Sequence, residues 1–328
     1  VDIFFVLTGF LMARVARPGM SWTSFVARRW LRIYPAFLAS LVLCTVLYVN
    51  LYDWPFVWRD FALNLVFYNS LPNHGIVAYN HVTWSLGYEF AFYLVVPLLA
   101  APGDPRVRAA LAGVAMLAAL LWLEGTPMRI AGLFAGFLLG CAPDHVLRRI
   151  AGSVPVIVPA ALYCGLVWTK ALAPLEFPVF VRLLLPIVAL LMVCIAFGDN
   201  VLNRFFASVP MRALGRWSYS IYLLHPLVLA LVIYEALDWV GLRYDEVAAV
   251  AFICVATVGG SVALAALSYR LFEAPYFRRR RAGRVNAAAC GAAAPAAIMR
   301  APASSPDSPC PVACALTPSP PPSSAAPS

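Results

Sequence analysis

The chain has 328 residues, of which 62% are hydrophobic and only 12% are charged. A soluble domain is about half apolar and about a quarter charged, so this composition excludes an ordinary soluble protein and indicates an integral membrane protein. The net charge of +9 could suit a nucleic-acid partner. The basic residues are instead distributed over alternate loops, and we predict no nucleic-acid partner.

Nine apolar runs are long enough to predict transmembrane helices, because a helix needs about 20 mostly apolar residues to cross the hydrocarbon core. The runs do not alternate polar and apolar residues, as the strands of a membrane barrel would. The predicted fold is therefore all-α, a polytopic bundle of transmembrane helices. The predicted spans are about 2–14 (truncated), 33–50, 84–101, 107–123, 128–142, 154–172, 181–198, 217–236 and 247–270.

The basic residues predict the orientation of the chain. Nineteen of the 24 Lys and Arg residues lie in alternate loops and in the C-terminal tail, and the positive-inside rule places that side in the cytoplasm. We predict a multi-pass protein of the cell (inner) membrane with a cytoplasmic C-terminus. The chain begins with Val within an apolar run, so we also expect an N-terminal truncation that removes one earlier span.

The predicted membrane domain covers residues 1–281, and a tail of residues 282–328 follows it. The tail is rich in Ala, Pro and Ser; it cannot bury enough apolar surface to fold, and we expect it to be a disordered cytoplasmic tail.

The longest loop, about 51–83, lies on the predicted outer side. Its aromatic residues favour either an interfacial belt or an acceptor-binding surface. The spacing of the eight cysteines predicts neither a disulfide framework nor a metal site.

Glu89 lies in the segment TWSLGYEFAFYLVVPLLA and is the one carboxylate well inside a predicted span. A charged group there costs about 3 kcal/mol even on insertion scales, and an intramembrane ionisable residue predicts a functional site. Ser85, Glu89 and Tyr93 recur every four residues, so they share one helix face. A structural hydrogen bond within the bundle is the alternative role for Glu89.

His225 is the one intramembrane histidine, in LGRWSYSIYLLHPLVL. Like Glu89, it predicts a functional site, and a structural hydrogen bond within the bundle is the alternative. Its predicted depth leaves open whether it contacts Glu89.

A third cluster, VARRWLRIYP, places Arg29 and Arg32 three residues apart at the inner end of the second span. A helix turns them to overlapping faces, where guanidinium groups could bind phosphates. Ordinary positive-inside anchoring is the alternative.

Together these segments resemble the integral membrane acyltransferase-3 family, which O-acylates cell-surface glycans and some small molecules. The resemblance covers about residues 1–281, and its stretches follow the family's order. Thr8 stands where the family has Ser. The family's first span, which carries a histidine taken as the catalytic base, would precede Val1. The matching stretches are VDIFFVLTGFLM, ARRWLRIYPAF, TWSLGYEFAFYLVVPLL, LGRWSYSIYLLHPLVL and YRLFEAPYFRR, the last containing Glu273.

The resemblance implies a membrane-bound O-acyltransferase that moves an acyl group, expected to be acetyl, from acyl-CoA to a carbohydrate hydroxyl. The acceptor would be a carbohydrate or a glycolipid: a surface polysaccharide, a lipopolysaccharide, a lipid-linked oligosaccharide, peptidoglycan or a small glycosylated product. Arg29 and Arg32 would hold the CoA phosphates. Glu89 would support the chemistry, and His225 would have a second acid/base or structural role. The residues expected to bind substrate are Trp84, Ser85 and Tyr93.

A transporter of a small polar solute or a proton-coupled substrate is the alternative function. Buried Glu and His side chains also mark proton relays and substrate paths in membrane proteins. Many transporters carry internal repeats with paired broken helices, and this sequence shows no clear internal repeat. The sequence leaves the acceptor, the acyl chain and the oligomeric state undetermined.

Overall fold

The computed structural model describes residues 1–173, 175–236 and 246–274, all within one unit, Val1–Arg278. The described residues are helical and contain no strand, which confirms the predicted all-α class. The predicted disordered tail, 282–328, lies outside the described residues. The helices are α1 Asp2–Val15, α2 Trp22–Leu51, α3 Trp58–Leu65, α4 Trp84–Ala100, α5 Pro105–Trp122, α6 Ala131–Cys141, α7 Asp144–Ser153, α8 Ile157–Leu172, α9 Phe177–Phe197, α10 Val201–Phe206, α11 Val209–Leu231 and α12 Glu246–Ser268.

Six segments among the described residues are long and apolar enough to cross a membrane. The remaining predicted spans, near 2–14, 128–142 and 154–172, are helices of 14, 11 and 16 residues, shorter than a full crossing needs. One of them, Thr126–Cys141, meets Asp144–Ser153 at a bend of 108° and would make a seventh span if the pair crosses together. The count of nine spans stays a prediction.

Local sequence signals set where several helices begin. The Ser21 side chain accepts a hydrogen bond from the Ser24 backbone N–H at the start of α2. Asp104 does the same for Arg106 at the start of α5, where Pro105 occupies the first turn. These caps satisfy backbone donors that have no partner within the helix. Because α2 begins at Trp22 rather than near residue 33, the arginines of VARRWLRIYP lie on its first turns.

The most extensive helix pair is α1 with α6, and glycines allow the two backbones to touch. A Cβ added to Gly136 would lie 1.9 Å from the Val6 carbonyl oxygen, and one added to Gly9 would lie 1.9 Å from that of Leu133. Gly132, Gly136 and Gly140 recur every four residues on α6, the spacing that brings small residues onto one face of a membrane helix. This face positions α1 beside the centre of the bundle.

The loop of residues 52–83 folds into a structured cap at one end of the bundle. Tyr79 is fully buried; its hydroxyl donates to the Pro55 carbonyl over 3.0 Å and accepts from the Val57 backbone N–H over 2.8 Å. The Asp60 carboxylate accepts from the Val77 backbone N–H over 2.9 Å. These bonds satisfy polar groups that a buried loop would otherwise leave unpaired. We call this end of the molecule the loop end, and the end that carries Arg29 and Arg32 the arginine end.

Candidate functional site

Glu89 is buried in the first half of α4, as are Ser85 and Tyr93 on the same face. The Tyr93 hydroxyl donates a hydrogen bond to the Glu89 carboxylate. The Thr8 side chain of α1 also interacts with that carboxylate. The acidic group therefore interacts with side chains of two helices, α4 itself and α1, which packs against it.

The two predicted phosphate-binding arginines approach this cluster from α2. The Arg29 guanidinium lies over the rings of Phe25 and Tyr93, with centroid distances of 5.4 and 5.8 Å. Both Arg29 and Arg32 interact electrostatically with Glu89. The helix thus turns both cations toward the buried carboxylate, as their spacing predicts. Arg29 is partly exposed and Arg32 is exposed, so both residues are accessible at the arginine end.

A second buried carboxylate, Glu273, joins the cluster from the segment after α12. The Ser220 hydroxyl of α11 donates to it over 2.6 Å and lies 3.1 Å from the Ser268 hydroxyl. Arg32 interacts electrostatically with Glu273 as well as with Glu89. Glu273 is the last residue of its apolar helical segment, Val247–Glu273, whereas Glu89 is the one carboxylate predicted well inside a span. Glu273 follows the apolar run of the last predicted span, and only tertiary packing buries it.

Tyrosines of α11 extend the polar contacts toward the loop end. The Tyr219 hydroxyl donates to the Ile33 carbonyl of α2 over 2.8 Å, next to Arg32 in sequence. One turn further, the Tyr222 hydroxyl donates to the Val82 carbonyl over 2.5 Å and lies 2.8 Å from the Ser85 hydroxyl. Because α4 runs antiparallel to α11, Tyr222 lies level with Ser85, and Tyr219 lies one turn away in the direction of Tyr93.

These polar groups lie along one line through the helix bundle. Ser85, Glu89 and Tyr93 are separated by about 6 Å each along α4 at 1.5 Å per residue. The line begins at the exposed arginines and ends where α4 meets the loop end. We call it the polar column. Its members are Arg29, Arg32, Thr8, Tyr93, Glu89, Ser85, Tyr219 and Tyr222.

His225 lies at the loop end of α11, apart from Glu89. Its Nδ1 atom is 2.7 Å from the Tyr222 carbonyl oxygen. Since a carbonyl only accepts, Nδ1 carries the hydrogen and Nε2 of the neutral ring keeps the lone pair. No hydrogen bond joins His225 to Glu89 in the described part of the chain. His225 interacts electrostatically with His81 of the loop end instead.

A cavity of about 400 Å³ opens at the loop end, beside the first two turns of α4. Trp84 lines this cavity, whereas Ser85 and Tyr93 belong to the polar column, so the structure divides the three residues expected to bind substrate. We call this space the loop-end cavity. Its wall includes Asn69, Ser70, His81, Trp84, Tyr88 and Arg129.

Arg129 is anchored in the cavity wall by an ion pair and two aromatic rings. Its guanidinium donates to the Asp2 carboxylate over 2.9 Å, and each side chain of the pair is 20% exposed. The guanidinium carbon lies 5.0 Å from the Phe177 ring centroid and 5.9 Å from that of Trp84. Such cation–π contacts hold the charge in one place. Neither Asp2 nor Arg129 stood among the residues expected to bind substrate or to catalyse.

Comparison with known proteins assigns the chain to a family. The family model for the acyltransferase domain, the acyltransferase-3 model, matches residues 1–266. The chain belongs to the acyltransferase-3 family. No solved structure matches the chain, so the placement of the polar column in this family member rests on the geometry described above.

Curated relatives of this acyltransferase-3 family member are acyltransferases and proteins of polysaccharide production. It is 29% identical to an acyltransferase of Streptomyces mycarofaciens, over 70% of this chain and 67% of the relative. It is 28% identical to the exopolysaccharide production protein ExoZ of Rhizobium meliloti, over 90% of this chain and 94% of the relative. It is 27% identical to a peptidoglycan O-acetyltransferase assigned in Bacillus subtilis, over 70% of this chain but 44% of that longer protein.

These findings support an enzyme that transfers an acyl group other than an aminoacyl group. The multiple apolar helices and the family agree on a multi-pass membrane protein. Within this acyltransferase-3 fold, Arg29, Arg32, Glu89 and Tyr93 lie in one cluster, Ser85 lies one turn away, and Trp84 and His225 lie at the loop end. Sequence reasoning missed Glu273 and the contact made by Thr8, although both residues stand in the stretches that resemble the family.

Proposed function

We propose that this protein transfers an acyl group, acetyl in the simplest case, from cytoplasmic acyl-CoA to a hydroxyl of a carbohydrate across the inner membrane. The observation that carries the proposal is the polar column, which joins exposed arginines at one end to a buried carboxylate at the centre and to the loop end beyond it. The family, together with relatives named as a peptidoglycan O-acetyltransferase and an exopolysaccharide production protein, supports the reaction class.

Arg29 and Arg32 are the donor-binding residues in this proposal. Acyl-CoA is polyanionic, and guanidinium groups bind phosphates through paired N–H donors. The two arginines lie about one turn apart on α2, where Arg29 is partly exposed and Arg32 is exposed to a cytoplasmic ligand. Glu89 interacts electrostatically with both arginines, and Glu273 interacts with Arg32 as well.

The reaction needs a base, because a sugar hydroxyl is a poor nucleophile at neutral pH. The base removes the hydroxyl proton, the oxygen attacks the thioester carbonyl carbon, and the carbon–sulfur bond breaks. The CoA thiolate then leaves and takes up a proton, which balances the step. In this family the base is taken to be a histidine. Glu89 would orient this histidine and compensate the positive charge that it gains with the proton. His225 is a second acid/base candidate, since its Nε2 holds the free lone pair.

The acceptor approaches from the outer side, and the C-terminus lies in the cytoplasm. The loop of residues 52–83 then faces away from the cytoplasm, and the acceptor is a surface polysaccharide, a lipopolysaccharide or another glycolipid. The positive-inside distribution of Lys and Arg supports this orientation. Lipid is the other partner, since side chains such as Leu121 and Val114 are exposed on the outer surface of the bundle.

The carboxylate role is tested with membranes from cells that produce the protein, radiolabelled acetyl-CoA and a cell-surface glycan acceptor. Glu89→Gln keeps the size of the side chain but removes its charge. We expect acyl transfer to fall by about 100-fold, the low end of what acid–base catalysis contributes, because the base loses the carboxylate that orients it, while the amount of protein in the membrane is unchanged. A wild-type rate in Glu89→Gln would refute the role of the carboxylate.

The arginine role is tested in the same assay by separating the two Michaelis constants. Arg29→Ala combined with Arg32→Ala should raise the KM for acetyl-CoA by about 10-fold or more, because charge-assisted hydrogen bonds are lost. Arg149→Ala, which removes an exposed arginine of α7, is the matched control and should leave this KM unchanged. A change in the acceptor KM alone would contradict donor binding by these arginines.

A further inference from the structure

Glu273 reaches the interior of the bundle through a change in helical pitch. The inward face of α12 carries Ser261 and Ala265, which are buried and lie four residues apart. An uninterrupted α-helix would bring Phe272, about two turns after Ala265, to the same face. The residues Tyr269–Glu273 instead form a π-helical turn, and Glu273 is 4% exposed whereas Phe272 is 39% exposed. Such turns are rare in proteins, and many of them lie at functional sites.

Neighbouring residues of α11 connect Glu273 to α2. The buried Ser220 hydroxyl donates to the Glu273 carboxylate over 2.6 Å. The preceding residue, Tyr219, donates to the Ile33 carbonyl over 2.8 Å, and Ile33 directly follows Arg32 on α2. The π-helical turn also packs against α2 itself. Two adjacent residues of α11 thus fix the carboxylate and the backbone beside Arg32.

Arg32 interacts with two buried carboxylates from different helical segments. Its electrostatic partners are Glu89 of α4 and Glu273, and Arg32 is itself exposed. A guanidinium has several N–H donors in a fixed plane, so one arginine can contact a carboxylate and a phosphate together. A flexible side chain loses less conformational freedom on binding a ligand when protein partners already hold it. The buried carboxylates therefore prepare Arg32 for a ligand that arrives from solvent.

We propose that Glu273 is a positioning residue that holds Arg32 for the phosphates of the acyl donor. The role rests on the proposed function, in which Arg32 binds those phosphates. Glu273 does not touch the donor, so its effect on donor binding passes through Arg32. A carboxylate that only competed with phosphate for Arg32 would have the opposite effect, and its loss would tighten donor binding.

The first experiment is Glu273→Gln, which keeps the size of the side chain and an oxygen that can accept from Ser220. We expect kcat/KM for acetyl-CoA to fall by about 3–10-fold, the equivalent of losing one preorganised side chain, with kcat unchanged because only binding is affected. S-acetylpantetheine carries the acetyl thioester without any phosphate, and its kcat/KM should not change. A general structural defect would lower the rates with both donors and would overturn the proposal, as would a higher kcat/KM for acetyl-CoA.

A double-mutant cycle tests whether Glu273 acts through Arg32. Arg32→Ala removes the guanidinium that Glu273 holds in this proposal. Adding Glu273→Gln to Arg32→Ala should then leave kcat/KM for acetyl-CoA at the value of the single Arg32→Ala variant, because the effects of coupled residues are not additive. Losses that multiply, as they do for independent sites, would overturn the positioning role.

The chain offers a matched control in another π-helical turn, Val232–Ala236 after α11. This turn carries Glu235, an exposed glutamate, and Glu235→Gln should leave kcat/KM for acetyl-CoA unchanged. An equal loss in Glu235→Gln and Glu273→Gln would overturn the proposal, because the effect would then follow from net charge alone.

Ser220 provides a second variant, should Glu273→Gln fail to accumulate in the membrane. Ser220→Ala removes the hydroxyl that donates to Glu273 but leaves the carboxylate and Arg32 in the chain. It should lower kcat/KM for acetyl-CoA in the same direction but by less, and leave that for S-acetylpantetheine unchanged. Ser218→Ala, at an exposed serine of the same helix, is its control. In that case, equal values in Ser220→Ala and Ser218→Ala would overturn the proposal.

Direct binding separates the role of Glu273 from the proposed function. The dissociation constant of radiolabelled CoA, measured on the purified protein in detergent without turnover, should rise by about 3–10-fold in Glu273→Gln. Weaker binding in this variant, without acyl transfer by the wild-type protein, would remove the proposed reaction but support the role of Glu273. Acyl transfer by the wild-type protein, with the same Kd in wild-type and Glu273→Gln protein, would keep the reaction and overturn the role.

Discussion

The Tyr93 hydroxyl donates a hydrogen bond to the Glu89 carboxylate, one turn earlier on the same buried face of α4. The pair places an acidic group inside a membrane protein without exposing it to lipid. The same tyrosine ring lies beneath the Arg29 guanidinium, at 5.8 Å. One side chain therefore connects the proposed donor-binding arginines to the buried carboxylate, and several expectations depend on that connection.

Tyr93→Phe keeps the ring under Arg29 but removes the hydrogen bond to Glu89. The buried carboxylate then loses a donor, and we expect the free energy of unfolding in detergent to fall by about 1–3 kcal/mol. Tyr163→Phe, a partly exposed tyrosine of α8, should change it by less than about 0.5 kcal/mol. Equal stabilities of the two variants would show that the Tyr93 bond contributes nothing.

The contribution of Thr8 to stability and acyl transfer should depend on its hydroxyl rather than on the size of its side chain. Thr8→Val replaces the hydroxyl by a methyl group, leaves Glu89 without this partner, and should lower both stability and acyl transfer. Thr8→Ser keeps the oxygen and should retain most of both properties. Thermal unfolding and transfer of radiolabelled acetyl groups measure the two effects. If Thr8→Val behaves like Thr8→Ser, the contact with Glu89 has no consequence.

Gly136 should tolerate no side chain. Its Cβ position is 1.9 Å from the Val6 carbonyl oxygen, so Gly136→Ala must push α1 away from α6. Overpacking costs about 1–3 kcal/mol and more where backbone must move. Gly165→Ala is the control: nothing lies within 4 Å of its Cβ position, and the helix should gain up to about 1 kcal/mol. Unfolding midpoints in detergent should shift in opposite directions.

The Asp2–Arg129 ion pair should couple more strongly than an exposed pair. Its side chains are 20% exposed, whereas those of Asp199 and Arg204 are 83% and 74% exposed. Double-mutant cycles with Asn and Gln replacements should give about 1 kcal/mol or more for the first pair, and less than about 0.5 kcal/mol for the second. Equal coupling energies would show that burial adds nothing to the first pair.

The composition and periodicity of the sequence alone determined the helical class of this protein and the residues that share a helix face. The apolar runs predict a helical membrane bundle, because a bilayer core leaves the backbone few ways to satisfy its hydrogen bonds. The four-residue spacing of Ser85, Glu89 and Tyr93 places them on one face, since helix geometry is local. The arginine spacing on α2 likewise predicts a shared face, and the structure has both features.

Only the tertiary structure decided which groups meet across helices. Thr8 and Glu89 are far apart in sequence, and they meet because α1 packs against α4. Glu273 is buried because α11 provides Ser220 as its partner, which no local spacing encodes. His225 turned out to bond to its own helix and not to Glu89. Contacts of this kind depend on packing between distant segments, whereas the faces of single helices depend only on a local repeat.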